Sequence, residues 1–328
     1  EVEEYDFLNY ALFVTFFPHL IAGPILHHSE MMPQFADLRR KIINHKNISI
    51  GLFLLAIGLC KKVLIADNLA PYVHMVFDNQ DTVLSFFNTN IAALAYTFQL
   101  YFDFSGYCDM ALGIGYLFNI VLPVNFNSPY IAESIQDFWH RWHMTLSRFL
   151  KNYVYIPLGG NRKGEALTYR NLFLTFLIGG IWHGANFNFI AWGIYYFVIL
   201  VLEKYVYGKY LEKLPPLPKH IYALFLILLG WTIFYFEDFG QFATYLTSMF
   251  TLKNGIIGGD TLSTILMYLP ILIVTAMASL PIWKNTYLKL KDKKYMGVLE
   301  IAFCAVVIVL CTASLVNQSY NPFLYFRF

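Results

Sequence analysis

Few residues in this chain can do chemistry, and the most telling is His183. It lies in Gly179-Gly180-Ile181-Trp182-His183-Gly184-Ala185, inside an apolar run that reads as membrane-embedded. An ionisable side chain inside a bilayer is costly and marks a functional site by default. An imidazole titrates near neutral pH, so it can take and return a proton. The surrounding glycines break a helix where the histidine sits. Irregular backbone at membrane depth is tolerated only where protein buries it or where it lines a cavity. The residues therefore predict a proton acceptor at a bend, inside a cavity, in a membrane.

A second group lies between Asn125 and Arg170. In Asp137-Phe138-Trp139-His140-Arg141-Trp142-His143-Met144-Thr145-Leu146-Ser147-Arg148-Phe149-Leu150, helical spacing puts Trp139, Trp142, Leu146 and Phe149 on one stripe. His140 and His143 fall one turn apart, with Ser147 a turn beyond. Aromatics on one side and Arg and His on the other suit a helix at the membrane interface, so an anchor with solvated charges fits this spacing as well as a site does. The pair His-x-x-His has no third ligand cluster beside it, and no metal is expected. The turn Leu158-Gly159-Gly160-Asn161-Arg162-Lys163-Gly164 can offer N–H groups and positive charge to a phosphate, although it lacks the P-loop spacing. Upstream, Tyr101-Phe102-Asp103-Phe104-Ser105-Gly106-Tyr107-Cys108-Asp109 ends an apolar run with two carboxylates. It reads either as a polar wall that orients embedded helices or as an interfacial tyrosine belt with ordinary capping.

The elements that must hold these groups are set by composition. The chain is 58% hydrophobic and 13% charged, against about 45–50% and about 25% in a soluble domain. That excess predicts an all-α polytopic membrane protein in a single membrane domain over residues 1–328. The net charge of +2 gives no reason to expect nucleic acid. Cys60, Cys108, Cys304 and Cys311 lie in or beside apolar segments and read as small buried hydrophobes. Candidate spans are Phe7–Leu26, Ile48–Ala66, Leu84–Phe104, Ala111–Pro123, Leu172–His183, Phe187–Leu202, Ile221–Phe236, Leu262–Trp283 and Val298–Leu315. Pro18, Gly23 and Pro24 interrupt the first. Ala111–Pro123 and Leu172–His183 are too short to cross, reaching about 18 Å into a core of about 30 Å, and are expected to be re-entrant or broken.

Lysine and arginine cluster at 39–46, 141–170, 204–219 and 284–294, which the positive-inside rule puts in the cytoplasm. The loops Asp67–Asp81 and Glu237–Asp260 are then expected outside, with His183 reached from the cytoplasmic side. The start at Glu1, followed by an acidic segment, does not resemble a signal peptide.

Four runs in order resemble the membrane-bound O-acyltransferases. They are Phe102 to Tyr107, Phe138 to Ser147, Tyr155 to Arg162, and Gly180 to Ala185. Phe16-Phe17-Pro18-His19-Leu20-Ile21-Ala22-Gly23-Pro24 and Ser319 to Phe328 are similar to the bacterial branch that O-acetylates alginate, peptidoglycan and cellulose. The resemblance implies a bundle of transmembrane and re-entrant helices around a central tunnel. It implies acetyl transfer from a cytoplasmic donor toward hydroxyls of an exported polysaccharide, in the bacterial inner membrane. Its two important histidines map to His143 and His183, whereas His140 occupies a position where relatives carry Arg. On this reading His183 is general base or acyl relay, and His143 positions the donor or stabilises an oxyanion. Trp182 and Trp142 would wall the tunnel, with Arg141, Asn161, Arg162 and Asp103 near donor or substrate. No tightly bound cofactor is implied. The cosubstrate would be acyl-CoA or another phosphopantetheine donor, and the partners an exported SGNH-hydrolase-like protein, the glycan and membrane lipid. Relatives carry further helices ahead of Phe16-Phe17-Pro18, so the chain is expected to be a fragment, inactive alone. D-alanyl transfer to teichoic acid is the alternative within the class. A transporter is the alternative outside it, but it would call for matched halves, and the sequence shows no internal repeat.

Overall fold

The computed structural model describes residues 6–20, 22–78, 82–258, 261–316 and 323–324. Expectations that fall on residues 1–5, 21, 79–81, 259–260, 317–322 and 325–328 lie outside the described residues. All regular structure among the described residues is helical, as the composition predicts. The helices are α1 (Phe7–Thr15), α2 (His28–Ala36), α3 (His45–Leu59), α4 (Asp67–Phe77), α5 (Phe86–Leu117), α6 (Ile135–Trp139), α7 (Met144–Leu150) and α8 (Glu165–His183). They continue with α9 (Phe187–Leu202), α10 (Gly208–Leu211), α11 (Pro216–Tyr235), α12 (Phe239–Phe250), α13 (Thr261–Ala278), α14 (Ile282–Leu290) and α15 (Met296–Val316).

Four continuous helical stretches are long and apolar enough to cross a membrane: His45–Phe77, Phe187–Leu211, Pro216–Tyr235 and Met296–Val316. A fifth crossing is possible if Leu262–Ala278 and Ile282–Leu290, bent by 55°, form one broken span. Along α15, Val298, Ile301, Val309 and Val316 are each at least 66% exposed. So long an uncovered apolar face is untenable in water, and lipid is its natural solvent.

Several boundaries differ from those read in the sequence. Leu84–Phe104 and Ala111–Pro123 are not a span followed by a short re-entrant piece, because α5 runs unbroken through 32 residues. Its polar middle does not end the helix, because Asp103 and Ser105 are buried within protein. Leu172–His183 is the second part of α8, whose 19 residues extend about 28 Å. The polar first turns of that helix hid its true start. The expected outer loops Asp67–Asp81 and Glu237–Asp260 contain α4 and α12. Phe7–Leu26 is helical only to Thr15 and then takes a short 3-10 turn over Phe17–His19, with Pro18 inside it.

The chain forms two compact units. One comprises residues 1–67, 101–126 and 282–327, and the other residues 68–100 and 127–281. In the first unit α3 and α5 touch through glycines. A Cβ at Gly58 would lie 2.5 Å from the Gly106 carbonyl oxygen, and one at Gly51 would lie 2.7 Å from that of Gly113. Both glycine pairs repeat every seven residues, which keeps them on one seam of each helix. In lipid, helices associate through such close packing rather than through hydrophobic burial. In the second unit α8 and α9 use the same device at Gly180 and Gly193. A Cβ at either would lie 2.4 Å from a backbone oxygen of the facing helix.

Candidate active site

His183 is the last residue of α8, and Gly184 follows as the cap. A Cβ at Gly184 would lie 2.6 Å from the Phe189 ring, so glycine there lets that ring close against the histidine. The His183 ring is 5.2 Å from those of Trp192 and Phe234, 6.4 Å from Phe189 and 5.0 Å from its neighbour Trp182. Rings from α8, α9 and α11 thus enclose a half-buried imidazole. Asn188, at the start of α9, donates to the Phe234 carbonyl at 2.7 Å and ties the two walls together.

His143 arrives from a separate element. The predicted continuous helix over 137–150 is in fact two, because α6 ends at Trp139 and α7 starts at Met144. His143 is the cap between them, with φ 42° and ψ 53°. The left-handed conformation costs a non-glycine residue about 1–2 kcal/mol, and such strain tends to collect at functional sites. The break dissolves the expected one-turn spacing of His140 and His143, whereas Ser147 stays one turn after His143. His140 turns out exposed, whereas His143 is buried at 3% exposure. Its backbone carbonyl still accepts from the Ser147 N–H at 3.0 Å.

The two histidines, forty positions apart, share one neighbour. The Trp182 ring is 6.1 Å from that of His143 and 5.0 Å from that of His183. Trp182 is 43% exposed, so the indole reaches outward from the pair. Trp142 is buried and packs 4.7 Å from Trp231, whose ring is 6.0 Å from Trp192. It backs the wall behind His183. Arg141 is held by Asp137 at 2.8 Å. Asn161 and Arg162 are exposed on the turn after Gly159 and Gly160, which have φ 112° and 58°. Asn171 donates to the Gly160 carbonyl at 2.9 Å and fixes that turn. Asp103 lies in the other compact unit, buried against Lys62 at 2.7 Å.

Sequence reasoning missed the residue that holds the His143 segment. Glu203 follows α9 in a wide turn over Glu203–Tyr207 and is 7% exposed. Its carboxylate accepts from the N–H groups of Ile135 and Gln136, at 2.7 and 3.0 Å, and from the Tyr222 hydroxyl at 2.9 Å. The first amides of a helix have no partner inside it, and here a buried carboxylate supplies one. Ser134 adds a cap at 3.0 Å to the Asp137 N–H. Glu203 thereby joins α9, the wall of His183, to the helix that leads into His143. Its type, one carboxylate at the end of an apolar run, was the available signal. Phe189, Trp192 and Phe234 carried none that set them apart from other core aromatics. Among the described residues no group of three or more His, Cys, Asp or Glu could hold a metal ion.

Residues 1–216 match the family model of the membrane-bound O-acyltransferases. The chain is 56% identical over 231 residues to a peptidoglycan O-acetyltransferase of Helicobacter pylori, covering 70% of this chain and 44% of that protein. It is 36% identical over 342 residues to a probable alginate O-acetylase, AlgI, of Pseudomonas putida, covering 98% and 69%. A teichoic acid D-alanyltransferase of Bacillus subtilis is 28% identical over 235 residues, covering 70% and 58%. The chain thus spans less than half the length of the Helicobacter relative.

Proposed function

We propose, from the premise that the chain belongs to the membrane-bound O-acyltransferase family, that it is the histidine-bearing part of a glycan O-acetyltransferase of the bacterial inner membrane. The observation that carries the proposal is the meeting of His143 and His183 at Trp182. The relatives named for O-acetylation of peptidoglycan and alginate support the acetyl group and a polysaccharide acceptor.

In this reading the acceptor hydroxyl loses its proton to the His183 imidazole as its oxygen attacks the acyl carbonyl. The O–C bond forms, the C–S bond of a thioester donor breaks, and the sulfur leaves as thiolate, taking the proton back. His143 aligns the carbonyl or donates to the developing oxyanion. The ring wall of Phe189, Trp192 and Phe234 keeps water from competing for the acyl group. Arg162 and its basic neighbours attract the donor's phosphates from the cytoplasm. If the acceptor hydroxyl belongs to an exported partner, that partner's new acetyl ester is broken in turn as a glycan hydroxyl takes the acetyl group and the partner's hydroxyl is regenerated.

The test is His183→Ala in the full-length protein, with acetate released from the glycan by mild base as the readout. Ester acetate should vanish while the variant remains in the membrane at normal level. Unchanged acetate would refute the assignment. The Bacillus relative supports a second reading, D-alanyl transfer. Mild base would then release D-alanine in place of acetate.

A further inference from the structure

The first compact unit holds a cluster of charges that the histidine site does not use. Lys61 and Lys62 interrupt an apolar stretch, within a seven-residue wide turn over Cys60–Ala66. Adjacent residues on an α-helix point about 100° apart, yet both lysines meet carboxylates. Lys61 Nζ is 2.6 Å from Asp109, and Lys62 Nζ is 2.7 Å from Asp103 and 2.8 Å from Asp67. Lys62, Asp67 and Asp103 are all at most 7% exposed. Wide turns of this kind are frequent at functional sites, and buried charges inside a membrane protein are expensive unless they are used.

Two carboxylates face one ammonium, and one of them reaches further. Asp103 Oδ1 accepts from the Lys62 ammonium, and its Oδ2 accepts from the backbone N–H of Leu324 at 2.9 Å. The ring of Phe323 lies with its centroid 4.8 Å from Lys62 Nζ, in cation–π range. The same ring meets Tyr107 edge-on at 5.1 Å and 90°. Leu324 itself is buried, at 7% exposure. Three contacts, one of them to the backbone, thus join two residues near the end of the chain to groups from α5 and the wide turn. Phe323 and Leu324, the described residues of the run Ser319 to Phe328 that the histidines leave unexplained, have partners here.

We infer that Lys62, Asp67 and Asp103 form a socket that seats the chain's own C-terminal segment through Phe323 and Leu324. Lys62 binds the ring face and orients the Asp103 carboxylate. Asp103 binds the backbone, so recognition at Leu324 depends on chain path rather than on side-chain type. Asp67 balances the second bond of the ammonium and keeps it in place. The socket does not rest on the acyl-transfer reading, and its test needs no activity.

Hydrogen exchange read at the Leu324 amide tests this in the full-length protein in detergent, with a synthetic peptide of Ser319–Phe328 as the unprotected reference. Exchange at Leu324 should be about 10-fold or more slower than in the peptide, as expected for a buried amide bonded to a carboxylate. Asp103→Asn and Lys62→Met should each bring it to within about 3-fold of the peptide rate, while amides of α11 stay protected. Phe323→Ala leaves the cluster itself intact and should also speed exchange at Leu324, which keeps the test decisive if a cluster variant fails to fold. Peptide-like exchange in the wild type would overturn the proposal. So would protection that persists in both Asp103→Asn and Phe323→Ala.

Discussion

The surroundings of Lys62 and of His183 solve the same problem in opposite ways. Each unit buries ionisable groups among apolar helices. Around Lys62 the groups are fixed charges, and the distances to their partners are 2.7 and 2.8 Å. Around His183 the neighbours are rings at 5.0 to 6.4 Å. Charge pairing locks a geometry, because breaking one member leaves the other uncompensated. A ring box holds an imidazole by shape and leaves its nitrogens to chemistry. The difference teaches where to expect lost stability and where to expect lost reaction.

Removing a charge from the ion cluster should have the largest effect on stability. Lys62→Met would leave Asp67 and Asp103 buried without their cation, and should cost about 3–5 kcal/mol. Thermal melting in detergent would show a large drop, whereas His143→Gln should melt close to wild type. Equal melting temperatures for the two variants would erase the distinction. A second test is packing at the α3–α5 seam. Gly58→Leu meets the Gly106 carbonyl and the Met110 side chain, and overpacking of this kind costs about 1–3 kcal/mol. The same melting assay should register it, at a smaller size than Lys62→Met.

Glu203 is a buried charge that serves the ring region. Glu203→Gln keeps one acceptor oxygen but turns an amide NH2 toward a backbone N–H that it formerly accepted. The lost bond is worth about 1.5–3 kcal/mol. Acetyl transfer in the full-length protein should fall about 10-fold as His143 drifts from its alignment. Tyr222→Phe removes only the hydroxyl donor to Glu203 and should cost less than Glu203→Gln in both assays. Least of all, Arg162→Ala should raise the donor KM about 3-fold at low salt, and the difference should fade as salt rises. A salt-independent effect would mean that Arg162 acts by contact rather than by its field.

Much of this was legible in the sequence, and the gaps have physical causes. His183 at a helix end was readable because Gly184 follows it and apolar residues surround it. The all-helical membrane class was readable from composition. The continuity of α5 was not, since Asp103, Ser105 and Asp109 look like the end of a span. Lys61 and Lys62, which make those carboxylates tolerable, come from an earlier helix. The break at His143 was hidden because nothing local marks a left-handed turn there, and a glycine would have. Glu203 was visible as a lone carboxylate, but its partners Ile135 and Gln136 lie 68 and 67 residues away. Tertiary bonds of that range leave no periodicity to read.

On the proposed reading, His143 and His183 work as one unit around Trp182. A double-variant comparison in the full-length protein, reading ester acetate per unit of membrane-inserted enzyme, tests it most directly. His143→Ala and His183→Ala should each lose about 100-fold or more. Groups that act together are not additive, so the double variant should fall no further than the worse single, within about 3-fold. Losses that multiply in the double variant, or a single variant with wild-type transfer, would show that the two histidines do not act as a unit.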